Sequence, residues 1–244
     1  MTDRRRQAEL RHGRIIAGRA AAVWGQHGVA GQARVARRSA LLADAVRAVA
    51  GSIVLELGCG TGEYTERLAA SGASLVALDL VPDLIRVAAA RALPAPVRFV
   101  LGDAEALPFQ DASFDGVVGN AVLHHLRLAP ALQEIRRVLR PGGWCAFTEP
   151  NMLNPQVALM KNVPPLKRLL GDTPHETAFV APFIRRRFEE QRLRVARVEP
   201  FDWLHPAVPA AAVPVVRRLE VRLERLPLLS HIAGSLAIVA RREP

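Results

Sequence analysis

The residues best suited to binding or chemistry lie in the middle third of the chain. Gly58, Gly60 and Gly62 follow an apolar run, and glycine lets a backbone turn tightly and approach a ligand closely. Asp79 and Asp103 follow two later apolar runs. Carboxylates there could accept hydrogen bonds from ribose hydroxyls or an adenine amino group. Either aspartate alone could equally be a helix N-cap, but together their positions favour ligand binding.

Two histidines could act as proton acceptors. His124 and His125 follow a fourth apolar run, and Glu149 follows a fifth. A neutral imidazole near neutral pH can take a proton from a hydroxyl. We select His125 as the base and Glu149 as its orienting acid, because His125 lies nearer the next predicted helix. The alternative is that one histidine packs under the ligand and the other caps that helix.

The candidate residues can form one site only if the strands and helices of the fold bring the ends of the apolar runs together. Short apolar runs alternate with helical patterns, which predicts a parallel sheet with helices on both faces. The predicted strands are 53–57, 75–80, 97–101, 114–119, 144–148, 193–201 and 235–240. The predicted helices are 4–24, 32–49, 64–70, 82–92 and 129–139. Glycines at 25, 28 and 31 should break the first two helices, and Pro141-Gly142-Gly143 should stop the last.

Composition narrows the class of protein. The 244 residues carry a formal charge of +10, but the positive charge lies in the flanks and residues 51–150 are mildly acidic. This distribution favours a solvated arginine-rich surface over a nucleic-acid groove. Two cysteines argue against a disulfide framework and a cysteine metal site, so no metal is expected. No secretory signal or membrane span is apparent, and we expect a cytoplasmic protein.

Several motifs in a fixed order resemble those of class I S-adenosylmethionine-dependent methyltransferases, and most closely the ubiquinone/menaquinone-biosynthesis branch that acts on small molecules. The match is specific over residues 51–150 and looser over 190–242. The motifs are Glu56-Leu57-Gly58-Cys59-Gly60-Thr61-Gly62, Leu78-Asp79-Leu80, Gly102-Asp103-Ala104-Glu105-Ala106-Leu107-Pro108-Phe109, Ser113-Phe114-Asp115-Gly116-Val117-Val118, Val122-Leu123-His124-His125-Leu126 and Leu139-Arg140-Pro141-Gly142-Gly143.

The resemblance implies an α/β doubly wound, Rossmann-like sheet of seven strands, the last antiparallel. It implies S-adenosylmethionine as cofactor, with the glycine loop holding the methionine part, Asp79 the ribose and Asp103 the adenine. Glu56 would orient the loop and the methionine amino group. The implied cofactor-binding residues are Glu56, Gly58, Cys59, Gly60, Gly62, Asp79, Leu80, Asp103, Ala104, Asn120 and Ala121. In similar sugar O-methyltransferases, a histidine pair and an acid after the fifth strand act in deprotonation.

The expected organisation is an N-terminal helical cap over 1–50 and a methyltransferase domain over 51–244, with a helical insert at about 204–232. The expected acceptor is a small, partly hydrophobic metabolite methylated on oxygen; nitrogen and carbon acceptors stay open. A nucleic-acid (RNA) methyltransferase and a non-catalytic S-adenosylmethionine-binding protein are the alternatives. We expect no nucleic-acid partner and no stable membrane insertion.

The flanks suggest further candidates. Arg34 and Arg38 lie one helical turn apart, and one could reach a cofactor carboxylate, although a solvated arginine face is favoured. Phe201, Trp203 and His205, which precede the amphipathic helix of the insert, are candidate acceptor-pocket residues. In the insert, Val215, Val216, Leu219, Leu223 and Leu226 share one helical face, and this face should pack as a lid on its own domain.

Overall fold

A computed structural model describes residues 3–93, 96–169 and 176–244. Seven strands form one sheet. They are β1 (Ile53–Leu57), β2 (Ser74–Asp79), β3 (Val97–Leu101), β4 (Phe114–Asn120), β5 (Leu139–Pro150), β6 (Leu193–Phe201) and β7 (Ser235–Arg242). Their order is β3-β2-β1-β4-β5-β7-β6. Only β7 runs antiparallel to its neighbours, which confirms the doubly wound, Rossmann-like fold with an antiparallel last strand.

Helices cover both faces of the sheet. In the described part of the chain the α-helices are α1 (Asp3–Ile16), α2 (Ala20–Val23), α3 (Gly28–Ala45), α4 (Glu63–Ala69), α5 (Pro82–Ala89), α6 (Leu128–Val138), α7 (Pro155–Asn162), α8 (Pro164–Leu169), α9 (Ala181–Glu190), α10 (Val213–Leu223) and α11 (Pro227–Ser230). Of these, α7, α8 and α9 have no counterpart among the predicted helices. None of the helices in these ranges is long and apolar enough to cross a membrane.

The continuous apolar runs of the central strands follow from burial on both sides. Val54, Leu55 and Leu57 of β1 are completely buried, as expected where helices cover both faces of a parallel sheet. Strand β1 pairs with β2 on one side and β4 on the other. The chain therefore winds in opposite directions from β1, and such a switch point opens a crevice at the carboxyl ends of the strands.

The N-terminal segment departs from its prediction at Gly31. This glycine lies inside α3 rather than in a break. A Cβ at Gly31 would lie 2.6 Å from the carbonyl oxygen of Gly25 and 2.7 Å from the carbonyl carbon of Gln26. Glycine is therefore needed at position 31, because the loop before α3 passes so close to the helix that no side chain fits between them.

Strand β5 begins earlier than predicted. Helix α6 ends at Val138, and the chain enters the strand at Leu139, so Pro141-Gly142-Gly143 lies within β5. The pairing with β4 shifts register between Phe114 and Gly116. A bulge of this kind accommodates residues that would otherwise interrupt a regular ladder.

The insert packs through a different face from the one predicted. Val215 and Leu219 of α10 are 53% and 47% exposed, whereas Val213 and Glu220 are buried. The Glu220 carboxylate accepts a hydrogen bond from the Trp203 backbone N–H and pairs with Arg37 on α3. Helix α10 therefore turns Val215 and Leu219 outward, whereas Val216 of the predicted face packs with Val213 against Ala30 and Leu204.

Candidate active site

A cavity of about 420 Å³ lies in the crevice at the carboxyl ends of the strands. Most of the predicted cofactor and catalytic residues line it. They are Gly58, Cys59, Gly60, Asp79, Leu80, Asp103, Ala104, Asn120, Ala121, His124 and His125. Glu56, Gly62 and Glu149 do not belong to its lining and lie behind it. The structure thus brings eleven of the fourteen predicted site residues to the lining of one cavity, and their roles stay predictions.

The loop after β1 forms a narrow cradle. Gly58 and Gly60 have positive φ angles of 67° and 55°, a conformation that L side chains rarely adopt. A Cβ on Gly60 would lie 2.8 Å from the Trp24 ring. The Gly60 N–H donates to Asp79 Oδ2 at 2.9 Å. Both glycines are therefore required by backbone geometry and by close neighbours, which are Val122 for Gly58 and Trp24 for Gly60.

Asp79 holds the loop as well as facing the cavity. Its Oδ1 accepts the Val81 N–H at 2.9 Å. Burial raises the pKa of Asp79, while hydrogen bonds from the backbone of Val81, Gly60 and Leu80 oppose that rise. The carboxylate is thus an anchoring group for two loops, a role beyond the ribose contact that the sequence implied.

Glu56 lies beneath the glycine loop. Its carboxylate accepts a hydrogen bond from the Thr65 hydroxyl at 2.6 Å. Burial is the main cause that raises the pKa of Glu56 to about 7, and the nearby Asp79 adds to it. A carboxyl with such a pKa lies close to half-protonated at neutral pH, so a cation arriving above it would favour the ionised form.

Asp103 terminates β3 at the opposite end of the cavity. Its Oδ1 accepts the Glu105 N–H at 2.9 Å, and Ala104 beside it is buried. This hydrogen bond forms a turn, and no helix begins in the described residues between β3 and β4, so the N-cap alternative is wrong for Asp103. Because Asp103 also lines the cavity, the turn orients its carboxyl without removing it from the ligand side.

A buried ion pair that the sequence did not predict closes the β4 side. Arg38 on α3 donates from Nε to Asp202 Oδ2 at 2.8 Å and from Nη1 to Asn120 Oδ1 at 3.0 Å. Arg38 is 7% exposed, so the favoured solvated face was wrong for this residue. Burial alone would raise the pKa of Asp202, but Arg38 and Arg34 lower it overall.

The three predicted acceptor-pocket residues are placed elsewhere. Phe201 is buried beneath the guanidinium groups of Arg37 and Arg38. His205 forms a hydrogen bond with Gln156 at 2.9 Å. Neither of them, nor Trp203, belongs to the lining of the cavity. The lining instead includes Trp24, which the sequence could not distinguish from an ordinary core residue.

Glu149 pairs with His124 and not with His125. The Nδ1 atom of His124 lies 2.7 Å from Glu149 Oε2. The other oxygen, Oε1, accepts the backbone N–H groups of Val122 at 2.9 Å and Leu123 at 2.8 Å. Since a carboxylate with these partners accepts, the Nδ1 atom of His124 carries the proton and Nε2 is left as an acceptor.

The two imidazoles differ in their electrostatic surroundings. Burial and the neighbouring His125 lower the pKa of His124, although Glu149 opposes this. Burial alone would also lower the pKa of His125, but the ion pair with Glu9 and the charge of Glu176 raise it overall. The two rings lie 4.2 Å apart. The geometry therefore separates a neutral imidazole from one that favours its charged form.

Three groups outside the predicted motifs complete the polar end. His125 Nδ1 lies 3.2 Å from Glu9 of α1 and 3.8 Å from Glu176. Lys161 of α7 lies 2.9 Å from Glu176. None of these residues belongs to a pattern that sequence inspection can recognise, because each comes from an element without a motif.

The histidine pair also has metal-ligand spacing. His124, His125 and Glu176 offer ligand atoms that all lie within 4.8 Å of one another. The ammonium group of Lys161 already places a positive charge beside Glu176, so the site has an internal cation. The expectation of no metal stays a prediction.

Comparison with known proteins defines the class. A family model described as "Methyltransferase domain" matches residues 55–147. A demethylmenaquinone methyltransferase of Mycolicibacterium gilvum is 35% identical over 158 residues, 62% of this chain and 67% of that protein. The chain therefore belongs to the class I S-adenosylmethionine-dependent methyltransferases.

Two further comparisons show how much of the chain the similarity covers. An uncharacterized methyltransferase of Mycobacterium tuberculosis is 46% identical over 90 residues, which cover 37% of this chain and only 36% of that relative. A methyltransferase of Haloferax volcanii, solved in complex with the Trm112 methyltransferase activator, shares the fold with a TM-score of 0.70 at 21% identity, covering 94% of this chain and 97% of that one. The chain therefore spans about a third of one relative's length, whereas the fold likeness to the other extends over nearly the whole chain.

Proposed function

We propose that the protein transfers a methyl group from S-adenosylmethionine to a hydroxyl oxygen of a small, partly apolar acceptor, with His124 as the general base. The observation that carries the proposal is the pairing of His124 with Glu149 at the edge of the glycine-loop cavity. The family supplies the methyl donor, and this pair supplies a proton acceptor next to it.

The residues of the cavity fit the cofactor. The cradle formed by Gly58 and Gly60 exposes backbone to a ligand, and two carboxylates, Asp79 and Asp103, face the same space. The Oε1 atom of Gln26 is buried without a hydrogen-bond partner in the described residues and belongs to a lining residue, so it could accept from an ammonium group. When bound, S-adenosylmethionine supplies a methyl group on a sulfonium that is primed to lose it.

His124 would hold the proton that the acceptor hydroxyl releases. Glu149 keeps the Nδ1 proton in place, so the basic lone pair is on Nε2. Because the pKa of His124 is lowered, the ring is neutral at neutral pH and ready to accept. Glu149 would then stabilise the imidazolium that forms.

His125 fits a different task from the one predicted for it. Its raised pKa and its ion pair with Glu9 favour the protonated state, and a protonated imidazole has no lone pair to accept a proton. We assign it to positioning: with Glu9 it connects α1 to the polar end of the cavity. The base is therefore His124 and not His125.

Two observations support a small, partly apolar acceptor. Apolar side chains from outside the sheet line the cofactor cavity beside the charged groups, namely Ile16, Val23 and Met160. The relative from Mycolicibacterium gilvum is named for demethylmenaquinone. An acceptor with a hydroxyl and an apolar body would match both kinds of surface.

Donor binding is tested with Asp79→Asn. The asparagine retains one oxygen for the loop but loses the charge, so affinity for S-adenosylmethionine in isothermal titration should fall by about tenfold or more. Asp83→Asn, on the neighbouring α5 and paired with Arg86 at 2.7 Å, is the matched control and should bind normally. Unchanged affinity in a folded Asp79→Asn protein contradicts the cofactor assignment.

The acceptor class is tested with radiolabelled donor. Panels of phenols, alkyl amines and unmodified RNA are incubated separately with the protein and methyl-labelled S-adenosylmethionine. Transfer to phenols that depends on His124 supports the proposal. Transfer confined to amines withdraws oxygen methylation, and transfer confined to RNA favours the nucleic-acid alternative. If the protein binds the donor but transfers no methyl group to any panel, the non-catalytic alternative is favoured over an enzyme.

A further inference from the structure

A second cavity of about 400 Å³ lies beside His124. Apolar side chains form most of its lining, among them Leu123, Leu126, Leu128, Met152, Phe179 and Phe183. They come from three separate parts of the chain: the segment after β4, the end of β5 and the start of α9. No motif of the methyltransferase family in this sequence includes the last of these.

The second cavity has a buried floor and an exposed aromatic rim. Leu123 and Phe179 are 0% and 4% exposed. Phe183 is 40% exposed, and its ring stacks on Phe179 with centroids 6.3 Å apart. A partly exposed aromatic ring at the edge of an apolar cavity is typical of surfaces that bind apolar ligands.

The two cavities share His124 and Leu126. The charged groups Glu9, Lys161 and Glu176 line the first cavity and do not line the second. The Arg5 guanidinium, which also borders the second cavity, donates to the His124 carbonyl at 3.2 Å. Among the described residues that line the second cavity, Arg5 is thus the one with a permanent charge, whereas several charged side chains line the first.

We propose that the second cavity binds the hydrocarbon portion of an amphipathic phenol or alcohol whose hydroxyl reaches His124. This inference rests on the proposed function and specifies its acceptor. The hydroxyl would lie at the shared wall, and the hydrocarbon would displace water from Leu123, Phe179 and Phe183. Burying each methylene there strengthens binding by about fourfold.

The test uses a homologous series of 4-alkylphenols, from the methyl to the octyl member, in isothermal titration with the complete chain. We expect affinity to rise by about fourfold per methylene until the cavity is full. Phe183→Ala should weaken the octyl member by about tenfold and leave the methyl member nearly unchanged. Leu229→Ala is the matched control, since Leu229 is also 40% exposed but does not line the cavity.

A second variant distinguishes loss of the cavity from misfolding or another indirect effect of Phe183→Ala. Val180→Trp fills the cavity from a residue of its wall, so the gain with tail length should stop at shorter tails. Affinity that is independent of tail length, or a tail dependence unchanged in both variants, overturns the inference. Donor affinity is measured in parallel: normal donor binding without tail dependence refutes only the second cavity, whereas tail dependence without donor binding refutes only the proposed function.

Discussion

Glu149 accepts a hydrogen bond from His124 Nδ1 at 2.7 Å, although a histidine adjacent in sequence was the expected partner. The carboxylate is itself fixed by two backbone N–H groups at the start of the same turn. It therefore determines the tautomer and the orientation of one imidazole only. The consequences for catalysis can be tested separately for the two rings.

Replacing His124 should abolish most of the turnover. His124→Gln removes the proposed proton acceptor, so kcat with a hydroxyl acceptor should fall by about 10²–10⁴-fold while donor affinity stays nearly constant. Steady-state kinetics and titration measure the two quantities. His125→Gln is the matched variant and should cost much less in kcat; the reverse ranking would restore His125 as the base.

The pH profile should report the surroundings of His124. Because its pKa is lowered, the acid limb of kcat in the wild-type protein should lie below the ordinary histidine value of about 6.5. Activity is present above that limb, where the imidazole is neutral, and is lost as the pH falls through it. Glu149→Gln removes a group that raises this pKa, so the limb should move to still lower pH. A limb that stays in place argues against the pairing.

The ion pair between Arg38 and Asp202 should matter for stability. Arg38→Met leaves the Asp202 carboxylate buried without its main partner, so the free energy of unfolding should fall by about 3–5 kcal/mol. Arg38→Met combined with Asp202→Asn should recover much of that loss, because asparagine removes the unpaired charge and tolerates the positive φ of 74° at this position. Chemical denaturation measures both. Arg86→Met removes an exposed pair and should cost about 1 kcal/mol or less; an equal effect of the two single variants would refute the distinction.

Glu56 should make stability depend on pH. Its folded-state pKa of about 7 lies above the ordinary 4.5, so its contribution is fully present below about pH 4.5 and is lost as the pH rises through about 7. The loss amounts to about 3 kcal/mol. Glu56→Gln should remove this dependence in thermal unfolding of the ligand-free protein, whereas Glu66→Gln, on the exposed side of α4, should keep it. Parallel curves for wild type and Glu56→Gln would contradict the assignment.

Local patterns were sufficient for much of the sheet. The bounds of β1, β3 and β6 agree with their predictions. For β1 the reason is that a central strand buried on both faces is a nearly continuous apolar run. Strands β3 and β6 lie at the two edges of the sheet and mix apolar with polar residues. The glycines after β1 were recognisable for a related reason, since only glycine readily adopts positive φ. In contrast, Gly31 was misread, because its requirement comes from close contact with the backbone of Gly25 and Gln26 rather than from its own turn.

The sequence by itself determined the seven strands along the chain, the glycine loop and the carboxylates at the strand tips, because these depend on hydrophobic period and on backbone conformation within a few residues. Only the tertiary structure decided which acid meets which histidine. It also decided that Glu9, Lys161 and Glu176 would surround that pair, and that Arg38 would meet Asp202, a residue 164 positions away. Contacts between groups so far apart in the chain depend on loop paths and helix rotation, and these are selected by the packing of the whole domain.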